Sequence, residues 1–204
     1  MTVHLTTSDL LARGSALLGP VLESPGFDAG ILLAFALGIP RVRLKSHPEE
    51  ARSAEDLERY LAFIERRAQG EPLAYITGKR EFWTLELHVT RDVLVPRPET
   101  ELLVERALSL RDASSALRVL DLGTGSGAIA LALKHRCSGA RVWAGERSAS
   151  ALAVARANAQ RLALEHGATQ ADSVAHELVA RGFGSVRSHR DLGGHERVTE
   201  GQWT

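Results

Sequence analysis

Residues 118–127 carry the clearest chemical pattern of the chain: a short apolar run, an acid and three alternating glycines. The run from Arg118 to Leu122 has the length and composition of one buried strand, and it includes Asp121. The apolar run from Ala128 to Lys134 is typical of a helix, so the glycines lie in a strand-to-helix turn. Glycine tolerates positive φ and lets a ligand approach the bare backbone, so this turn is a candidate ligand site. Its members are Gly123, Thr124, Gly125, Ser126 and Gly127.

The spacing of these glycines indicates which kind of ligand the turn would bind. A dinucleotide-binding turn reads Gly-x-Gly-x-x-Gly and directs a helix N-terminus toward a pyrophosphate. Here the pattern is Asp-x-Gly-x-Gly-x-Gly, and the turn contains no lysine or arginine to meet phosphate. Asp121 would repel a pyrophosphate, whereas it suits the sulfonium and ammonium groups of S-adenosyl-L-methionine.

A second acid, Glu146, follows the next predicted strand, Ala140 to Gly145. Its carboxylate can accept hydrogen bonds from a ribose diol. Together the two acids and the glycine turn predict a methyltransferase-type cofactor site. The alternative is a turn that only connects a strand to a helix.

The composition of the chain excludes several other classes of site. Lysine plus arginine (25) equals aspartate plus glutamate (25), so no bulk positive charge would draw the chain to nucleic acid or to a membrane. The one cysteine, Cys137, excludes an internal disulfide framework, and none of the eight histidines forms a ligand pair at helical spacing, so we expect no metal. The sequence has no secretory leader pattern and no apolar run of membrane-spanning length. We expect a soluble, cytoplasmic monomer.

The elements that must position the turn begin with a helical segment over residues 1–71. Thr7-Ser8-Asp9 offers N-caps for a helix that runs through Leu18, and Phe27 to Leu37 forms a second, mostly apolar helix. Ser53 caps a third helix with apolar residues at i, i+3, i+4 and i+7. We predict a small helical bundle whose leucine and aromatic stripe forms its core.

The pattern of residues 72–95 differs from that of the helical segment before them. It predicts a β-hairpin that links two domains. Tyr75 to Gly78 and Glu81 to Val89 are partly alternating and aromatic, as strands are. A helix from Glu99 to Leu110 follows, with Pro98 in its first turn and acids at its positive end.

From Arg118 onward, strands and helices alternate, which predicts an α/β domain with a parallel sheet over residues 96–204. The second helix is expected over Ala149 to about Leu164, and a further helix over Ala171 to Arg181. Two strands, Gly184 to His189 and Glu196 to Gln202, are expected to close the chain as a hairpin.

The chain resembles the N5-glutamine methyltransferases that modify peptide chain release factors. The resemblance rests on the string from Gly70 to Gly78, on Glu81-Phe82-Trp83, on the segment Val95 to Glu101 and on the glycine turn. It is continuous over about residues 1–164 and resumes in the tail, where residues 180–183 and 190–198 resemble the closing helix and hairpin of the family. It implies a helical N-terminal domain followed by a Rossmann-like methyltransferase domain.

One part that the resemblance calls for is missing. The family holds its glutamine substrate with an Asn-Pro-Pro-Tyr motif after the fourth strand, and this chain has one asparagine, Asn158, followed by Ala159. Both tyrosines, Tyr60 and Tyr75, precede the glycine turn, so no such motif exists here. About 90 residues follow Arg118, whereas a full domain of this kind has on the order of 150. We therefore expect an internally shortened member in which central strands are absent after about residue 164.

The resemblance also implies roles for particular residues. Backbone around the glycine turn, with Asp121 and Glu146, would bind S-adenosyl-L-methionine, and Arg97, Pro98 and Thr100 would border the cofactor and glutamine pocket. Simple capping of a helix start is the alternative for these last three residues. The helical domain would contact the release factor. No catalytic residue is assigned, because the motif that would supply it is absent.

Three functional hypotheses follow. The first is N5-methylation of a release factor glutamine, with negligible turnover by the shortened chain itself. The second is a non-catalytic module that docks a release factor through its helical domain. The third is a dinucleotide-dependent oxidoreductase, which the acid before the glycines disfavours.

Overall fold

A computed structural model of the chain describes residues 5–109, 117–137, 139–160, 162–165, 171–180, 183–190 and 196–203. It divides into two compact units, Met1–Gly78 and Lys79–Thr204. The division predicted at residues 71 and 95 differs from this boundary, and it stays a prediction. None of the helices in the described ranges is long and apolar enough to cross a membrane.

The first unit is mostly helical, as the sequence predicts. Its core contains Leu10, Leu32 and Ile64, all at 1% exposure or less, so the three long helices bury their apolar stripes against one another. A short antiparallel strand pair, which the sequence did not indicate, joins residues 5–6 to residues 51–52. The elements are β1 (Leu5–Thr6), α1 (Thr7–Leu18), α2 (Pro25–Leu37), α3 (Arg41–Ser46), β2 (Ala51–Arg52), α4 (Ala54–Ala68) and α5 (Leu73–Thr77).

Capping boxes start two of these helices. The Ser53 hydroxyl accepts from the Asp56 N–H at 3.0 Å, and the Asp56 carboxylate accepts from the Ser53 N–H at 3.2 Å, so the predicted cap of α4 is confirmed. The N-cap of α1 is Thr6 and not one of the predicted residues 7–9, although Asp9 completes the capping box. Its first helical residue, Thr7, is instead fully buried.

The prediction of a strand at Tyr75 to Gly78 was wrong. Residues Leu73–Thr77 form α5, which begins after Pro72 and ends at Gly78 with φ 71°. The β-branched and aromatic side chains suggested a strand, but Ile76 enters the core of the first unit at 5% exposure. Tertiary packing therefore outweighs local propensity here.

The second unit begins with the hairpin and continues as alternating strands and helices. Phe82, at 1% exposure, lies with Val104 and Leu133 in a core that the hairpin shares with two helices. The elements are β3 (Lys79–Phe82), β4 (Leu85–His88), a 3-10 helix (Pro98–Thr100), α6 (Glu101–Ser109), β5 (Arg118–Leu122), α7 (Ala128–Arg136), β6 (Arg141–Gly145), α8 (Ala149–Gln160), β7 (Leu162–Glu165), α9 (Ala171–Ala180), β8 (Phe183–Arg190) and β9 (Glu196–Trp203).

The predicted parallel pairing is confirmed for two strands. β5 and β6 are parallel, with Asp121 beside Ala144 and Leu122 beside Gly145. The predicted closing hairpin is confirmed by the antiparallel pairing of β8 with β9, although its turn, 191–195, falls outside the described residues. The helix predicted through Leu164 ends at Gln160, because Leu162–Glu165 forms β7 and pairs with β9 in a separate three-stranded antiparallel sheet.

One face of the parallel pair is open to solvent. Leu120 and Leu122 lie two residues apart on β5, so they share a face of the strand, and they are 65% and 76% exposed. Trp143 on β6 is in register with Leu120 and is 48% exposed. In the described part of the second unit, β5 and β6 pair only with each other. Strands of a doubly wound sheet are normally buried on both faces, so this pair has the character of an incomplete sheet.

Candidate functional site

The candidate site lies at the carboxyl ends of β5 and β6. The main-chain N–H groups of Gly123 and Thr124 both donate to the Gly145 carbonyl, at 2.8 and 3.1 Å. These bonds fix the start of the glycine turn against the end of β6. Parallel α/β sheets bind ligands at this edge, and both predicted acids, Asp121 and Glu146, lie along it.

The three glycines of the turn all have positive φ, but they face different surroundings. Gly123 has φ 77° and Gly125 has φ 56°, and a Cβ built on either meets no atom within 4 Å. Gly127 has φ 85°, and its Cβ would lie 3.2 Å from Leu131 Cδ1 and 3.6 Å from Ala155 Cβ. Gly123 and Gly125 therefore offer open backbone to a ligand, whereas Gly127 allows close packing at the start of α7.

The two polar side chains inside the turn are buried. Thr124 is 7% exposed and donates its hydroxyl to Asp121 Oδ2 at 2.7 Å, and Ser126 is 3% exposed. A ligand would therefore meet these two residues mainly through their main chain. The Thr124 hydroxyl also restricts the Asp121 carboxylate to one orientation at the end of β5.

Glu146 reaches across from β6 to the turn. Its Oε2 accepts from the Gly125 N–H at 3.1 Å, and its Oε1 accepts from the Ser148 N–H at 3.0 Å. The N–H groups of Ser148 and then of Gly125 lower the pKa of the Glu146 carboxyl below its usual 4.5, because both bonds favour the ionised form. The sequence predicts that Glu146 binds a ribose diol, and that role stays a prediction. In the structure both of its carboxylate oxygens accept main-chain hydrogen bonds, one of them from the turn.

Arg97 is the N-cap of the 3-10 helix that precedes α6, and Pro98 and Thr100 are the first and last residues of that helix. Pro98 occupies the first helical position, as predicted, and the Thr100 N–H donates to the Arg97 carbonyl at 3.0 Å. Arg97 and Pro98 are exposed, and no side-chain hydrogen bond caps the helix. Within the ranges that the structure describes, no hydrogen bond or ion pair joins these three residues to the glycine turn. Their role at the pocket border stays a prediction.

The same segment is tied to the hairpin instead. Arg80 Nε donates to the Pro96 carbonyl at 3.1 Å, and the Trp83 N–H donates to Glu101 Oε1 at 2.9 Å. These two bonds give the segment from Val95 to Glu101 a structural role at the hairpin.

Sequence reasoning missed one residue of the site, Asn158. Its side chain is 6% exposed and donates to the Ser126 carbonyl at 2.9 Å, although it lies on α8, 32 residues away in sequence. The signal that could have found it is a lone amide on the face that the small apolar residues of α8 bury, where a polar group needs a partner. Among the described residues, no group of three or more His, Cys, Asp or Glu side chains is placed to hold a metal ion.

Two family models match the chain, one for each half. Residues 9–78 match the PrmC N-terminal domain, and residues 98–186 match the methyltransferase small domain. The second match, with the parallel β5–β6 pair and its glycine turn, confirms the predicted fold class: α/β, with a helical N-terminal part and a truncated Rossmann-like methyltransferase domain.

Named relatives agree with these matches. The release factor glutamine methyltransferase of Burkholderia pseudomallei is 56% identical over 135 residues, which are 66% of this chain and 47% of that protein. The protein of the same name from Shewanella oneidensis is 46% identical over 143 residues, which are 70% of this chain and 50% of that protein.

A solved structure named protein-(glutamine-N5) methyltransferase (release factor-specific), from Alicyclobacillus acidocaldarius, is 30% identical and covers 57% of this chain and 99% of its own, with a TM-score of 0.25. The chain spans about half the length of the curated relatives it matches. On its sequence matches, the chain belongs to the family of release factor glutamine methyltransferases.

Proposed function

We propose that this chain binds S-adenosyl-L-methionine at the glycine turn. The observation that carries the proposal is that two carboxylates lie beside one open turn. Asp121 accepts a hydrogen bond from the Thr124 hydroxyl, and Glu146 accepts one from the Gly125 N–H. The open space beside Gly123 and Gly125 suits a ligand that approaches the main chain closely. The cofactor would bring a methyl group on a positively charged sulfur, and a site with two acids and no basic residue in its turn suits that charge.

Titration calorimetry of the full chain with S-adenosyl-L-methionine tests this proposal. We expect saturable binding, and binding about tenfold weaker in Glu146→Gln, because a neutral amide oxygen accepts hydrogen bonds more weakly than a carboxylate does. Glu58→Gln, an exposed glutamate on α4, serves as the matched control and should bind as the wild type does. Binding of a nicotinamide dinucleotide in place of S-adenosyl-L-methionine would favour the oxidoreductase hypothesis and refute this one.

We propose further that the reaction of the full-length family members is N5-methylation of a glutamine in a peptide chain release factor, and that this shortened chain turns over negligibly. An amide nitrogen is a poor nucleophile, so catalysis depends on acceptors that orient and polarise it. The Asn-Pro-Pro-Tyr motif that would supply those acceptors is absent. Asn158 cannot replace it, because its amide is already bonded to the main chain of Ser126 and His88.

The test of inactivity uses the purified chain, methyl-labelled S-adenosyl-L-methionine and a release factor as acceptor. We expect label transfer at the level of a control without enzyme. A full-length family member under the same conditions gives the positive control. Transfer by this chain at a comparable rate would contradict the proposal.

A second candidate function is docking of a release factor without chemistry, through the domain predicted at residues 1–71. The observation that favours it is an exposed group on α2 and α3: Phe27 and Val42 are 55% and 69% exposed, and the Arg41 guanidinium lies 4.6 Å from the Phe27 ring centroid. Aromatic residues and arginine are enriched in protein interfaces. We expect the full chain, as a monomer, to capture a release factor in a pull-down, and Phe27→Ser to reduce the capture. Equal capture by both proteins would exclude this surface.

A further inference from the structure

The Asn158 side chain uses both of its N–H donors and its amide oxygen on main-chain groups of two distant segments. Nδ2 donates to the carbonyls of Ser126 and His88, each at 2.9 Å, and Oδ1 accepts from the His88 N–H at 2.7 Å. Both polar groups of the His88 main chain thus pair with one amide, as they would with a neighbouring strand. The side chain is buried, so each of these bonds avoids the cost of an unpaired polar group in the interior.

These bonds act on one particular peptide unit of the glycine turn, the unit that joins Ser126 to Gly127. Its carbonyl accepts from Asn158, and its N–H, which belongs to Gly127, donates to the Thr124 carbonyl at 2.8 Å. The unit is therefore held from both sides. The unit ends at Gly127, whose φ is 85°, and a glycine gives the backbone the most freedom to rotate if the unit is released.

The other two bonds of Asn158 hold the end of β4. His88 is the last residue of that strand, and the hairpin to which it belongs packs into the same core as α6 and α7. The shape of the glycine turn is thereby coupled to the position of the hairpin, although His88 and Asn158 are 70 residues apart in sequence.

We infer that Asn158 is a positioning residue: it fixes the Ser126–Gly127 peptide unit in the conformation that the cofactor needs. The inference rests on the proposed cofactor site. Asn158 touches neither the predicted cofactor nor a reacting group in this role; it acts through the backbone of the turn. Asn158 is not among the site residues that the sequence predicts.

The substitution Asn158→Asp tests the inference with little change in volume. A carboxylate can still accept from the His88 N–H, but it places oxygen against the two carbonyls that Nδ2 now serves. We expect hydrogen exchange of the Gly127 amide to accelerate about tenfold, and the Kd for S-adenosyl-L-methionine to rise about tenfold.

Val154→Ala is the matched control, because Val154 is buried on the same helix and its truncation destabilises α8 without removing a hydrogen bond. In this variant we expect the exchange rate of the Gly127 amide and the Kd to stay within about twofold of the wild type. Equal effects of the two substitutions would overturn the inference, since Asn158 would then act only through stability. Faster exchange with an unchanged Kd would overturn it as well.

A measurement on the wild type keeps the inference testable if Asn158→Asp does not fold. The two Nδ2 protons of Asn158 should exchange with solvent far more slowly than the side-chain amide protons of Gln160, which is exposed on the same helix. Equal exchange would overturn the inference. If the wild type fails to bind S-adenosyl-L-methionine, the proposed cofactor site is refuted, whereas the exchange rates still decide whether Asn158 fixes the turn.

Discussion

The carboxylate of Glu101 accepts a hydrogen bond from the main-chain N–H of Trp83 and thereby joins the first turn of α6 to the tip of the β3–β4 hairpin. Trp83 is the one non-glycine residue with positive φ, 58°, among those that the structure describes. A left-handed conformation costs a non-glycine residue about 1–2 kcal/mol. The bond to Glu101 helps to hold Trp83 in that conformation.

Glu101→Leu should therefore destabilise the protein by about 1.5–3 kcal/mol, the usual range for a hydrogen bond to a charged group. Glu101→Gln keeps an acceptor oxygen and should cost less. Urea unfolding monitored by tryptophan fluorescence measures both. Glu99→Leu, at an exposed position two residues earlier, is the control and should change stability little; an equal loss there would show that the Trp83 bond is not the cause.

The different surroundings of Gly125 and Gly127 predict two kinds of defect. Gly125→Ala adds a methyl group to open space, so it should cost about 1–2 kcal/mol in backbone strain while blocking the approach of a ligand. Gly127→Ala meets Leu131 as well and should destabilise the fold further. Thermal unfolding and titration calorimetry separate the two effects.

Gly70→Ala controls for backbone strain in this comparison, because Gly70 has φ 89°, also faces open space and lies in the first unit. It should lower stability as Gly125→Ala does and leave the affinity for S-adenosyl-L-methionine unchanged. If all three substitutions weaken the binding of S-adenosyl-L-methionine equally, the glycine turn is not the binding site.

The lowered pKa of Glu146 predicts how its contacts respond to acid. Since the folded-state pKa lies below the usual 4.5, the carboxylate stabilises the folded protein fully above pH 4.5. That stabilisation is lost as the pH falls through the lowered folded-state value. The difference in unfolding free energy between wild type and Glu146→Gln should therefore be constant above pH 5 or so and shrink at lower pH. A difference that grew on acidification would contradict the assigned bonds to Ser148 and Gly125.

Gly14, on α1, lies at a position where a larger residue does not fit. A Cβ built on Gly14 would overlap the hydroxyl end of Tyr60, which is fully buried on α4 and donates to the Ala29 carbonyl at 3.3 Å. Gly14→Ala should therefore destabilise the first unit by about 1–3 kcal/mol, despite the better helix propensity of alanine. Gly19→Ala, in ordinary contact distance of its nearest neighbours, should be nearly neutral in the same thermal unfolding experiment.

Much of the local structure could be predicted because its causes are local. Ser53 and Asp56 lie three residues apart and define the start of α4, and the apolar run before Gly123 defines β5. The acids and glycines of the candidate site fall within 26 residues, from Asp121 to Glu146, so their order along the chain was enough to predict their proximity.

The misses have causes that no short window contains. The sequence predicts a helix end at β7, because Leu162 and Leu164 continue the apolar composition of α8. The pairing that makes this segment a strand is with β9, where Leu162 lies beside Gly201. In the sequence, Asn158 stands out only as the one asparagine, without the prolines and tyrosine of the family motif. Its function depends on two carbonyls, at His88 and Ser126, that the chain brings to it only when folded.

The solvent-facing side of β5 and β6 has a consequence for how long such a molecule survives. Chaperones and proteases recognise large apolar side chains in contact with water, and three such side chains are exposed here: Leu120, Leu122 and Trp143. We expect quality control to keep the abundance of this chain low in any cell that makes it. The low abundance of the chain, more than its affinity, would then limit how much S-adenosyl-L-methionine or release factor it can bind.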